Sequence, residues 1–304
     1  MLGHELHGKQ VNTYTGTQVG EFATIEITDP TLNPRFVLGL VRDVEIKPSP
    51  YWVQRRLRLA GVRPISNIVD ATNYAMLELG EPLHAFDYDV LVGRTLAPHA
   101  SAGVGNPPRR DAIPPHGKPK IITRAANDGE KLTTLDGVER TLSSMNVLVC
   151  DEKGSLSLAG VMGGAESEVS DKTTTILLEG AAWNFINIRR TAKQHNLPSE
   201  ASFRFSRGVH PALAETGVRR GLQLMAEWSG GKIEAGLVDN YPLSPKESVV
   251  EISTRDVKRI LGIELSAKEI AALLERLEFK CELTGTQVDT YTGTQGDARI
   301  IVTT

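Results

Sequence analysis

The sequence predicts an α+β fold, a mixed sheet with flanking helices followed by a small helical module. Three observations carry this prediction. Short β-type runs, such as Phe36–Ile46 and Thr175–Glu179, are interspersed with helical patterns that stop at glycine. Across 304 residues 40% are hydrophobic but only 5% aromatic, so aliphatic side chains must fill a sizeable core. A proline-bounded stretch, 242–245, sets off the last sixty residues or so.

Residues 1–35 are polar and rich in Thr and Gly, with β-type alternation at 23–28, and read as a truncated N-terminal β segment. Phe36–Ile46 reads as a strand. Ser49 as N-cap and Pro50 at the first helical position start a helix that ends before Gly61. A second helix spans Ser66–Leu79 and Gly80 stops it. Residues 94–119 hold six prolines and read as a long surface loop. Leu135-Asp-Gly-Val138 marks a hairpin turn. Strands follow at 147–151, 156–159 and 175–179, then helices at 184–195 and 211–229.

The main domain therefore covers 36–241, and 247–304 forms a separate unit. In that unit a strand at 249–252 precedes helices at 254–261 and 266–278. The second opens on a Ser266/Glu269 capping box and carries the stripe Ile270, Leu273, Leu274 and Leu277. The last residues, Ile300-Ile-Val-Thr-Thr, form an apolar β run with no turn after it, which suggests a piece of a longer protein. Thr13-Tyr-Thr-Gly-Thr-Gln18 recurs at 290–295 and in part at 284–287; its plain reading is a glycine-centred turn.

Several classes fall away. No apolar run is long enough to span a bilayer, and the N-terminus lacks a signal-peptide pattern. Two cysteines, Cys150 and Cys281, are too few for a disulfide framework or a cysteine zinc site, which points to a reducing cytoplasm. A net charge of −3 gives no global sign of nucleic-acid binding, so any RNA contact must come from local clusters. No serine elbow, zinc motif or dinucleotide fingerprint is present.

Four segments set polar groups in apolar frames. In 63–73, Asp70 and Asn73 sit three apart on one helix face; capping or surface polarity explains them as well as function does. In 80–87, His84 follows a glycine stop and Pro82, on what reads as a rigid turn. In 160–166, a Gly-rich turn could bring backbone close to a ligand or merely bend between strands, and it lacks the ending of a phosphate loop. From Glu179 to Gly208, Arg189, Arg190 and Lys193 lie on a predicted helix, followed by Arg204 and Arg207: a solvated face or a phosphate-facing patch.

Residues 63–87, 129–140, 158–169 and 200–205 together resemble the B3/B4 region of bacterial-type phenylalanyl-tRNA synthetase β subunits. The resemblance covers about 35–236, and 247–304 resembles the start of the neighbouring B5 domain. It implies hydrolytic editing of tyrosine wrongly attached to the phenylalanine tRNA. Glu179 would accept the tyrosine hydroxyl, with Ser199 and Ala201 shaping the pocket and Gly163 allowing close backbone approach. His84, Arg63, Thr72 and Asn73 would position ester, adenosine and water, and Pro82 would fix the His84 turn. His84 is the candidate base, though a purely positioning role fits equally. Arg189, Arg190 and Lys193 would meet RNA.

Implied partners are that tRNA and an α subunit, with no membrane and a cytoplasmic location. The fragment itself implies no cofactor or metal; the parent enzyme's ATP and magnesium would serve aminoacylation, which needs the α subunit. Three positions depart from the family's usual pattern: Ser199 for Thr, Ser206 for an acid and His210 for Asp. The alternative is a non-catalytic scaffold for tRNA and the α subunit.

Overall fold

The computed structural model describes residues 14–96, 118–245, 248–284 and 298–303. The chain divides into two compact units between Ser244 and Pro245.

In the first unit the chain runs β1 (Tyr14–Gln18), β2 (Thr24–Ile27), β3 (Arg35–Arg42), α1 (Tyr51–Leu59), α2 (Asn67–Leu79), β4 (Leu83–Asp87) and α3 (Tyr88–Leu96). It continues through β5 (Lys120–Ala125), β6 (Lys131–Thr133), β7 (Glu139–Thr141), β8 (Val147–Cys150), β9 (Ser155–Leu158) and β10 (Met162–Gly163). Then come β11 (Thr175–Ala182), α4 (Phe185–Gln194), α5 (Glu200–Phe205), α6 (Ala212–Ser229), β12 (Lys232–Ala235) and β13 (Val238–Asn240).

One sheet has the order β1-β12-β3-β11-β4, with β13 also on β3; the other is β10-β9-β8-β5-β2. Both contain a parallel and several antiparallel pairs, so both are mixed. Residues 14–35 are not a separate segment: β1 joins the first sheet and β2 the second.

The first sheet is buried on both sides, and the period of two along β3 divides its residues between two cores. Phe36, Leu38 and Leu40 pack toward the second sheet, Val37 and Val41 toward the helices. β11 does the same, with Leu177 and Ala181 on one side, Ile176 and Leu178 on the other. Each fully buried aliphatic side chain here contributes about 1.5–3 kcal/mol. On the helical side α2 supplies Ile68, Ala71 and Ala75, and α6 supplies Ala214, Val218, Leu222 and Met225.

α2 begins and ends as its sequence signals require: Ser66 caps it and Gly80 closes it at φ 82°. The Asp136-Gly137 turn joins β6 to β7, with Gly137 at φ 76°. α1 differs. It starts at Tyr51 after Pro50, and the Ser49 hydroxyl donates to the buried Asp70 carboxylate instead of capping the helix. Residues 94–96 belong to α3, not to the predicted loop; 97–117 lie outside the described residues. Tyr14–Gln18, expected as a turn, is a strand, because its edge pairs with β12; the copy at 290–295 lies outside the described residues.

The second unit is less helical than expected. β14 (Val249–Ser253) and β15 (Lys280–Thr284) flank β16 (Arg299–Thr303) in an antiparallel sheet beside α7 (Thr254–Leu261) and α8 (Ala267–Glu275). α8 keeps its Ser266/Glu269 capping box but is shorter than predicted. Only Ile270 of its stripe is buried, Leu274 packs partly, and Leu273 and Leu277 are exposed.

Candidate functional site

The site rests on the pairing of β11 with β4. These strands run antiparallel with Glu179 directly opposite His84, so both side chains leave the same face of the sheet. That face looks toward the second sheet, where Phe86 and Leu177 join the core. His84 therefore lies on a strand rather than the turn that Pro82 and Gly80 suggested; the strand begins at Leu83, directly after Pro82.

Between the two sheets lies a cavity of about 90 Å³, room for several waters or part of a side chain. His84, Glu179 and Pro82 line it from the first sheet, Met162 and Gly163 from β10, and Ala201 and Phe205 from α5. Gly163 is required by contact: a Cβ there would sit 2.6 Å from His84 Cε1. Gly160, at φ 63°, lets Trp183, α4 and α5 close on the cavity wall; a Cβ would lie within 3.2 Å of Trp183, Ile188 and Phe205.

Two buried polar atoms here have no hydrogen-bond partner among the described residues, Glu179 Oε2 and His84 Nε2. Such atoms are uncommon in folded proteins and mark places where a ligand group would be welcome. Burial alone pushes the Glu179 carboxyl up to about 8. Burial likewise pulls the His84 imidazole down to about 4, so near neutral pH it is uncharged and a weak base. Its ring also stands edge-on to Phe86, with centroids 4.4 Å apart.

The structure thus brings five of the predicted residues to one cavity: His84, Glu179, Pro82, Gly163 and Ala201. Ser199 stands just behind the wall. It caps α5, accepts from the Ser202 N–H at 3.0 Å, and donates to the Val161 carbonyl at 2.7 Å. Arg63, Thr72 and Asn73 do not line the cavity. Arg63 is exposed before α2, and α2 packs on the helical side of the sheet, whereas the cavity lies on the other side. Thr72 donates its hydroxyl to the Val69 carbonyl at 2.7 Å, a bond within its own helix. Asp70 is held by Ser49 and by the Ile65 N–H, a structural role.

Arg189, Arg190 and Lys193 lie exposed along α4, whose Ile188 abuts the cavity wall. The sequence reading missed Trp183, Phe205 and Met162 as lining residues. A plain apolar side chain gives no local signal of facing a cavity rather than a core. Among the described residues no three His, Cys, Asp or Glu side chains gather as a metal site, and no helix is long and apolar enough to cross a membrane.

Comparison with known proteins puts this geometry in context. The "Phenylalanine--tRNA ligase beta subunit" of Halalkalibacterium halodurans is 39% identical over 94% of this chain. The protein of that name from Moorella thermoacetica is 41% identical over 93%. The aligned region spans 32% of each relative, so the chain corresponds to about a third of their length. A solved N-terminal fragment of the phenylalanyl-tRNA synthetase β subunit from Pyrococcus horikoshii aligns with 95% of this chain and 70% of its own, with TM-score 0.42 and 16% identity. The family model of the B3/4 domain matches residues 32–230, which contain every residue of the cavity, and the chain belongs to that family.

Proposed function

We propose that this chain is the editing portion of a phenylalanine–tRNA ligase β subunit, hydrolysing tyrosine from mischarged phenylalanine tRNA. The observation that carries this reading is the Glu179–His84 pair, cross-strand neighbours in a B3/4-domain cavity, each with an unpartnered buried polar atom. Tyrosine differs from phenylalanine by one hydroxyl. A synthetic pocket shaped for phenylalanine rejects that isostere poorly, so a second site must recognise the hydroxyl itself. Glu179 is suited to accept it, and phenylalanine would leave the carboxyl unpaired.

In the reaction a water oxygen attacks the ester carbonyl carbon and the bond to the ribose oxygen breaks. The water proton ends on that ribose oxygen, leaving free tyrosine and intact tRNA. His84, neutral and weakly basic, holds the water through Nε2 instead of taking its proton outright. An activated ester needs orientation more than a strong base. Ser199 fixes α5 to Val161, and Gly163 lets the backbone stand close to His84. Arg189, Arg190 and Lys193 supply positive charge for the RNA, Arg63, Thr72 and Asn73 acting only from outside the cavity. The second unit is the start of a B5 domain. Aminoacylation, with its ATP and magnesium, belongs to the complete cytoplasmic assembly with the α subunit.

The test is deacylation of tyrosyl- and phenylalanyl-tRNA by the full chain. Faster release of tyrosine, lost in Glu179→Ala, supports the reading; an unchanged ratio in that variant sinks the site. RNA binding with no hydrolysis by either this chain or the complete ligase would favour the scaffold reading.

A further inference from the structure

The cavity does not account for two exposed phenylalanines, one on α5, which lines it, and one on α4, which packs against α5. Phe185 opens α4 at 45% exposure, and Phe203, in the middle of α5, is 56% exposed. A single exposed apolar residue needs no explanation. Here each ring carries an arginine guanidinium: Arg189 lies 5.9 Å from the Phe185 centroid and Arg207 3.5 Å from that of Phe203. The two stacks are linked. Arg189 Nη2 donates to the Ser206 carbonyl at 2.7 Å, and Arg207 Nη1 to the Phe203 carbonyl at 2.7 Å.

The charge around these stacks is one-sided. Residues 180–214 contain five Lys and Arg against one acid, Glu200. That acid pairs with Arg204, and no salt bridge to Arg189, Arg190, Lys193 or Arg207 occurs among the described residues. Exposed aromatic rings with guanidinium groups over them, beside positive charge that has no ion-pair partner among the described residues, are the chemistry that holds unpaired nucleotides: bases stack on the rings and phosphates meet the cations.

We infer that the Phe185/Arg189 and Phe203/Arg207 stacks form a platform for the unpaired bases near the 3′ end of the RNA whose esterified nucleotide enters the cavity. This rests on the editing reading. Placement sets which nucleotide is bound. Ala201 and Phe205 of α5 line the cavity, so Phe203, two positions from each, points from the opposite side. A helix is about 10 Å across, so the Phe203 stack takes a base upstream of the ester, not the terminal one.

The experiment measures binding of uncharged phenylalanine tRNA to the full chain by fluorescence anisotropy. The same tRNA shortened by its unpaired 3′ nucleotides serves as comparison. Phe203→Ala is expected to weaken binding of the intact RNA about tenfold and leave the shortened RNA unaffected, while Phe203→Tyr restores wild-type affinity. Arg207→Gln should lower the salt slope of log K by about one. Circular dichroism verifies that these surface variants fold. Equal effects on both RNAs, or none, overturn the platform. So does loss of affinity only in Arg55→Gln/Arg58→Gln on α1, which would place the RNA on another face. Unchanged RNA binding with lost α-subunit association would reassign the stacks to a protein interface. Because binding needs no hydrolysis, failure here is distinct from failure of the editing site, which the Glu179→Ala deacylation ratio reports.

Discussion

Glu179 and Glu81 lie close in the fold and in opposite circumstances. Both are buried carboxyls short of partners among the described residues, Glu179 at one oxygen and Glu81 at both. Glu179 leaves β11 into the cavity between the sheets. Glu81 precedes β4 and presses against α6, where a Cβ on Gly217 would lie 2.6 Å from its Cγ. Burial holds the Glu81 carboxyl well above its usual range. The Ala181 amide opposes this without reaching hydrogen-bond geometry, Glu179 adds to it, and Arg35, bound to Asp239 and Glu215, opposes it weakly. Burial and an orphaned oxygen therefore do not by themselves make a site. What separates the two is access: one carboxyl opens onto a cavity, while the other is packed against α6 with nothing to meet.

The sharpest way to break this contrast is to remove each in turn. Glu179→Ala should lower the preference for tyrosyl- over phenylalanyl-tRNA by about a hundredfold, the scale of a lost buried polar contact near 2.7 kcal/mol. Glu81→Gln should leave it unchanged in the same single-turnover deacylation assay. A comparable fall in both variants would end the distinction. Gly163→Ala tests the cavity from the other wall. Its methyl group must displace the His84 ring, and deacylation should slow about tenfold with KM nearly constant.

A severalfold effect is expected from pH. As pH passes about 8, Glu179 ionises, and a charged carboxylate rewards the tyrosine hydroxyl more and tolerates phenylalanine less. The tyrosine preference should rise from pH 7 to 9 in the wild type and stay flat in Glu179→Gln. Stability gives the smallest effect. A carboxyl whose folded value exceeds its ordinary 4.5 costs nothing below that pH and progressively more above it. Glu81→Gln and Glu179→Gln should therefore each raise Tm by about 2–4 °C at pH 8 for every kcal/mol relieved, with no gain at pH 4. His84 has the opposite sign: its folded value near 4 lies below the ordinary 6.5, so His84→Gln should gain relative to wild type as pH falls through that window. Thermal melts across pH 4–9 read all three.

Much of the frame was legible in local signals. Ser66 and Gly80 bound α2, Asp136-Gly137 turns a hairpin, and the helices at 184–195 and 211–229 appear within a residue of their predicted ends. β4 was hidden because Pro82 and His84 read as a turn, and only pairing with β11 makes a strand of five residues there. α5 was hidden by its length of six residues. The helix after Ser266 was overextended because Leu273 and Leu277 keep helical spacing yet face outward. In the site, resemblance named Glu179 and His84, but their juxtaposition across 95 positions of chain is a fact of strand register that no local pattern contains. The same applies in reverse to Thr72 and Asn73. They sit in a matching motif, yet their helix covers the other side of the sheet.

β11 makes one strand answer to two demands, since its even residues fill the helical core and Glu179 reaches the cavity. A slip of one residue against β3 would turn Leu178 toward the cavity and bury Glu179 beneath α6. The apolar side chains that seal the helix layer thus also proofread the strand's alignment: misalignment strands a carboxyl in oil and pushes a leucine into the cavity, so a misregistered copy of this domain is penalised before its cavity can form.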